Sequence, residues 1–149
     1  MPTTGTRKKT RPRSDVAVQR AAAGAPPASL LRRFARAAAA ARSTIALRIV
    51  GASESKTLNK KYRVKNKATN VLSFPYGGGS GDVVLCHPVI SRESRQQGKS
   101  LRAHYAHLVV HGVLHLRGYD HVTRRQAARM ERREIGILRR LGYADPYRG

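Results

Sequence analysis

The alternation of apolar and polar positions divides this 149-residue chain into segments of two different periods. "DVAVQRA", from Asp15, alternates weakly and predicts a short strand, while "STIALRIV" (43–50) alternates clearly, is rich in branched residues and predicts another. "TNVLSFPY" (69–76), stopped by Pro75, and "DVVLCHPV", ended by Pro88, predict two more. The glycine-rich "GGGSG" (77–81) joins these two, which makes them expected antiparallel neighbours.

Elsewhere the period is helical. After the break "AGAPPAS", "SLLRRFARAAAAAR" places Leu30, Leu31, Phe34 and Ala38 on one side and Arg32, Arg33 and Arg36 elsewhere. "SESKTLNKKYR" predicts a helix to about Tyr62, with a capping-box look at Ser53 and with Glu54 in the first turn, where the helix dipole favours an anion. "SRESRQQGKS" is a polar connection or a short helix. Residues 100–117 make the clearest helix, with Leu101, Tyr105, Leu108, Val109, Val113 and Leu116 in one stripe and Gly118 placed to end it. A last helix, from about Thr123 to Leu141, turns Met130, Ile137, Leu138 and Leu141 inward and most of its arginines outward. Strands and helices mix without strict alternation, so the expected class is α+β with a small mixed sheet, in one domain over residues 15–149. Residues 1–14 are expected to form a disordered basic arm.

Charge changes the picture more than composition does. Thirty Lys and Arg against eight Asp and Glu give a formal balance of +22. Such an excess points to a polyanionic partner, nucleic acid above all, because each phosphate neutralised releases counterions. The plainer alternative is a solvated basic surface. A single cysteine, Cys86, excludes an intramolecular disulfide and fits a reducing compartment. No apolar run approaches a membrane span, and the start of the chain lacks the apolar centre of a secretory signal. Aromatic residues make up only 5%, which argues against extensive base stacking.

Three of the six histidines lie in "HGVLHLRGYDH" (111–121). His111 and His115, four apart on a helix, project from one face about one turn apart. Gly118 lets the chain turn back, and His121 can return to the same point. Three neutral imidazoles then make an open metal site with a fourth position left for water. Nitrogen ligands suit zinc best, and nickel, cobalt or copper also fit. The spacing is that of the long zinc-protease motif with one change. Gly112 stands where those proteases carry the glutamate that serves as general base, which argues against ordinary peptide hydrolysis. Of the remaining histidines, His107 is expected as a buried hydrogen-bonding residue behind the site and His104 as exposed. His87, beside Cys86 at a strand end, is not expected to share a metal with it. Asp120 is expected to orient an imidazole or shape the turn.

"HGVLHLRGYDH" resembles the signature of the YbeY family, bacterial rRNA maturation factors described as metal-dependent single-strand endoribonucleases. The resemblance extends to "LNKKYRVKNKATNVLSFPY" (58–76), "GDVVLCHPV" (81–89), "EIGILRRLGY" (134–143) and "DPY" (145–147), in the family's order and spacing. It implies a four-stranded mixed sheet with surrounding helices, a zinc held by His111, His115 and His121, and an active-site arginine at Arg63. It also implies late processing of small-subunit rRNA at its 3′ end, and ribosome quality control, in the cytoplasm. Two features depart from the family. The stretch after the last histidine, usually acidic, reads "VTRRQAARMERR", and the basic tail before Asp15 is extra.

On this reading Arg63 stabilises charge on the phosphate undergoing cleavage, as a guanidinium fork can. A surface arginine is the structural alternative. Lys60, Lys61, Lys65 and Lys67 form either an RNA-backbone track, with Tyr62 available for stacking, or a solvated helix end. Ser73, Asn70 and Thr69 either line the cleft or serve the fold. No general base stands in for the missing glutamate beyond Asp120 or the metal's own hydroxide. The competing class is a non-catalytic RNA-binding assembly factor whose zinc holds the fold. A metallohydrolase acting on a non-nucleic substrate leaves the charge unexplained.

Overall fold

The computed structural model describes residues 13–63 and 69–148, with the backbone alone at Asn59, Tyr62 and Arg63. The expected basic arm falls almost wholly outside the described residues, as do Lys65 and Lys67. The elements in chain order are β1 (Asp15–Arg20), α1 (Ala28–Ala38), β2 (Thr44–Val50), α2 (Ala52–Arg63), β3 (Val71–Gly77), β4 (Ser80–Cys86), α3 (His87–Gln96), α4 (Leu101–Leu116) and α5 (Arg124–Leu141).

The four strands form one mixed sheet in the order β1-β2-β4-β3. β1 and β4 each pair with β2 in parallel, and β3 pairs with β4 antiparallel, as the short glycine connection between them requires. Gly78 and Gly79, both at positive φ (64° and 84°), make the two-residue turn, a conformation that side chains with a Cβ disfavour. Alternation decides which face each strand buries. Ile45, Leu47 and Ile49 of β2 join Val83 and Leu85 of β4 in the main core, against Leu31, Phe34 and Ala35 of α1 and Val109, Val113 and Leu114 of α4. Each fully buried aliphatic side chain there contributes about 1.5–3 kcal/mol. The opposite face carries a smaller cluster of Val50, Leu72 and Val84, packed by Leu58 of α2 and by Phe74.

Three local expectations are corrected. β3 runs through Pro75 to Gly77, with a register irregularity there. β3 lies at the sheet edge, where a missing N–H costs no ladder bond. α1 stops at Ala38, short of Arg42, because the chain turns extended at Ala39 (ψ 148°). The freed carbonyls of Ala38 and Ala40 are taken by Arg117 Nη1 (2.9 Å) and Ser43 Oγ (2.7 Å). α2 begins at Ala52, so Ser53 sits within the first turn instead of capping it.

α4 is the central helix. Ser100 caps it by accepting a hydrogen bond from Ala103 N at 3.1 Å, a contact worth about 1 kcal/mol. Burial extends beyond the expected stripe to Ala106, Val110, Gly112 and Leu114, because α4 packs against α1 and α5 as well as the sheet. Its end closes in a Schellman motif: Gly118 N donates to His115 O and Tyr119 N to Leu114 O. Gly118, at φ 96°, supplies the left-handed residue.

Candidate metal centre

Gly112 explains where α4 lies. A Cβ built there would come within 2.7 Å of Val83 Cγ1 and 3.3 Å of Val71 Cγ2, so the helix backbone presses directly onto β3 and β4. Ser73 Oγ donates to Gly112 O at 3.0 Å and fixes that approach. A glutamate at this position would be driven into the sheet. The replacement noticed in the sequence is therefore a packing requirement as well as a chemical difference.

With α4 pinned, His111 and His115 project from one face. The turn made by Gly118 brings His121 back to them. Ring centroids lie 4.7 Å apart for His111 and His115, 5.0 Å for His115 and His121, and 5.5 Å for His111 and His121. One nitrogen from each ring lies within 4.8 Å of the others, a grouping that could hold one metal ion. His111 and His115 are half-buried and His121 is exposed, so the trio opens to solvent on one side. Burial, then the neighbouring rings of His111 and His121, pushes the pKa of His115 down to about 4. Its ring is neutral at pH 7, the form that ligates.

The residue that sequence reasoning missed is Glu134. It is fully buried on α5, and Oε2 accepts from Nδ1 of His111 at 2.5 Å. Its other oxygen meets His107 Nε2 at 3.2 Å and the hydroxyl of Tyr147. Burial alone would raise the carboxyl pKa. The hydrogen bonds from His107 and His111, with the imidazole charge and Tyr147, outweigh it and hold the group down to about 2. The contact occupies Nδ1 of His111 and leaves Nε2 for an ion, the arrangement by which a carboxylate fixes a ligand's tautomer. His107, His111 and Glu134 also approach within 4.8 Å, and these hydrogen bonds account for it. The sequence did carry a signal. Glu134 is an acid on the inward stripe of α5, four residues after Met130 and three before Ile137.

The other expected residues separate. His107 is the hydrogen-bonding residue behind the site that was anticipated. His104 is buried, not exposed, with Nε2 2.8 Å from Glu93 Oε1, and burial lowers its pKa. Asn70 Nδ2 donates to the same Glu93, and Thr69 O accepts from Ser55 Oγ, so both serve the fold. His87 Nδ1 pairs with the buried Tyr105 hydroxyl at 2.7 Å. Asp120 Oδ1 accepts from His121 N at 2.7 Å, which shapes the turn. Arg63 closes α2, and Lys60 and Lys61 on that helix are exposed.

A family model described as Endoribonuclease YbeY matches residues 15–142. A Nitrosomonas eutropha protein described as Endoribonuclease YbeY is 53% identical over 125 residues, which is 82% of this chain and 89% of that protein. A Methylibium petroleiphilum protein of the same description is 50% identical over 124 residues, 81% of this chain and 83% of its own. The solution structure of TM1509 from Thermotoga maritima superposes with a TM-score of 0.58 at 19% identity, over 90% of this chain and 99% of that one, a likeness of fold.

Proposed function

The chain belongs to the YbeY family of endoribonucleases, and from that premise we propose that it is a zinc-dependent hydrolase of single-stranded RNA. The observation that carries this reading is the convergence of His111, His115 and His121, with Glu134 holding the first of them. The donor set fits the ion: three imidazole nitrogens, one held in its tautomer by a buried carboxylate, suit a transition metal such as zinc. Three protein ligands differ from the four usual in a structural zinc site, which favours catalysis over a purely structural role. Bound there, a divalent ion supplies Lewis acidity toward a phosphate oxygen and an activated water near neutral pH.

The chain's own residues do the rest. Neutral ligands leave the full positive charge of the site facing an anionic substrate. Arg63, at the end of α2, is proposed to stabilise charge on the phosphate under attack. Lys60, Lys61, Lys65 and Lys67 are proposed to track the RNA backbone, whose binding the balance of +22 favours. The substrate is proposed to be small-subunit rRNA near its 3′ end, in late maturation and quality control of ribosomes in the cytoplasm. That choice follows from what the motif resemblance implies, together with the chain's charge of +22. Among the described residues, no helix is long and apolar enough to cross a membrane.

The test is single-turnover cleavage of a single-stranded RNA by wild type, His115→Ala and Arg63→Ala, with binding measured in parallel. The reading requires that chelation abolish cutting and spare binding. Tight binding without cutting, by metal-replete protein, would instead make the chain a non-catalytic assembly factor.

A further inference from the structure

Between the turn after α4 and the first turns of α5 lies an open pocket of about 350 Å³ lined by Arg117, Gly118, Tyr119, Asp120, Gln126 and Arg129. Two arginines and one acid are among its lining residues. Arg117 is anchored, because Nη1 donates to Ala38 O at 2.9 Å. Arg129 is held over the ring of Tyr119, with its guanidinium carbon 5.5 Å from the ring centroid. Gln126 commits its amide oxygen to Thr123 N in the capping box, which leaves its NH2 as a donor. Asp120, the one acid, has Oδ1 engaged by His121 N. These are preset donors with no buried ion pair to break. Arg125, Arg129 and Arg132 then continue at helical spacing along α5, all of them exposed.

We propose that this pocket is a phosphate subsite for single-stranded RNA, with the Arg129 fork gripping the phosphodiester of the nucleotide next to the cleaved bond. The proposal rests on the endoribonuclease reading for which bond is cut. The subsite's position gives it this role: His115 and His121 bracket the segment 116–120, and four of the pocket's residues belong to that segment. A strand whose phosphate lies at the trio and that runs on toward the start of α5 meets this pocket. A guanidinium stacked on an aromatic ring is weakly hydrated and presents two parallel donors, the geometry a phosphodiester accepts.

The experiment measures binding of a short single-stranded RNA to metal-free protein across a salt series, for wild type, Arg129→Ala and Arg140→Ala. Arg129 is exposed, so its loss leaves folding intact. Arg129→Ala should bind about tenfold more weakly, by an equal factor for RNAs of different sequence. Its plot of log affinity against log salt should flatten by about 0.7, the contribution of one phosphate contact on a single strand. Arg140 lies eleven residues further along α5, roughly 16 Å away and beyond the screening length at physiological salt. Arg140→Ala should therefore keep wild-type affinity and slope. Equal affinity and slope for Arg129→Ala and wild type would overturn the subsite. Inorganic phosphate at matched ionic strength should displace RNA from wild type more readily than from Arg129→Ala, and equal displacement from both would likewise overturn the subsite. Because no cleavage is read, protein that binds through Arg129 yet never cuts contradicts the nuclease reading and leaves the subsite standing.

Discussion

The buried carboxylate of Glu134, on α5, lies 2.5 Å from Nδ1 of His111, on α4. A single acid thus sets the tautomer of one candidate ligand and, through His107 and the Tyr147 hydroxyl, ties the C-terminal segment to the same point. This relationship makes the site a property of two helices and the chain end, not of the eleven-residue motif alone.

Glu134→Gln keeps the volume but loses the charge and one acceptor. Its apparent affinity for zinc should fall 10–100-fold, as for other second contacts behind a metal ligand. Competition against a chromophoric chelator measures this. Tyr147→Phe removes one of the hydrogen bonds to Glu134 and should produce a smaller loss in the same direction. Wild-type zinc affinity in Glu134→Gln would show that the carboxylate serves packing only.

Gly112→Ala places a methyl group 2.7 Å from Val83 Cγ1. Relief requires α4 to lift from β3 and β4, which overpacking measurements put at about 1–3 kcal/mol of lost stability. Urea denaturation should show this as a lower midpoint with an unchanged slope. Gly112→Glu, which restores the protease-like spacing, should be worse still and should confer no peptidase activity.

Acid should weaken the metal-free protein in two stages. His115 has a folded pKa near 4 against 6.5 for the free side chain, so the unfolded chain takes up its proton first and stability falls from about pH 6.5 toward 4. Glu134 has a folded pKa near 2 against 4.5, so a second loss follows as pH drops from about 4.5 toward 2. Denaturation midpoints at a series of pH values measure both. His115→Ala should shrink the upper stage without abolishing it, because burial lowers the pKa of His104 as well, and should leave the lower stage in place.

Much of this was legible in the sequence because the relevant periods are local. The β3–β4 hairpin follows from its glycines, and the positions of His111, His115 and His121 follow from helical spacing and Gly118. What stayed hidden depends on contacts distant in the chain. Pro75 looked like a strand end because its tolerance depends on β3 being at the edge. Nothing near Arg42 shows that α1 ends at Ala38, since Arg117 supplies a capping donor from 79 residues away. His104 looked exposed because its partner, Glu93, lies on a different helix. Glu134 read as one more charge on an arginine-rich helix until α5 was seen packed against α4.

Arg63→Ala should reduce single-turnover cleavage by about 10²–10³-fold, the usual effect of removing one charge-stabilising donor, while zinc content stays at the wild-type level. Comparable loss of zinc would place the arginine with the metal's supporting residues instead of at the phosphate.

The most direct measurement is the number of zinc ions per chain, by elemental analysis after dialysis, for wild type and for His111→Ala, His115→Ala and His121→Ala. The account predicts one ion per wild-type chain and at least a tenfold weaker hold in each variant, with the fold retained by circular dichroism. One tightly held ion per chain in all three variants, or none in the wild type, would contradict it.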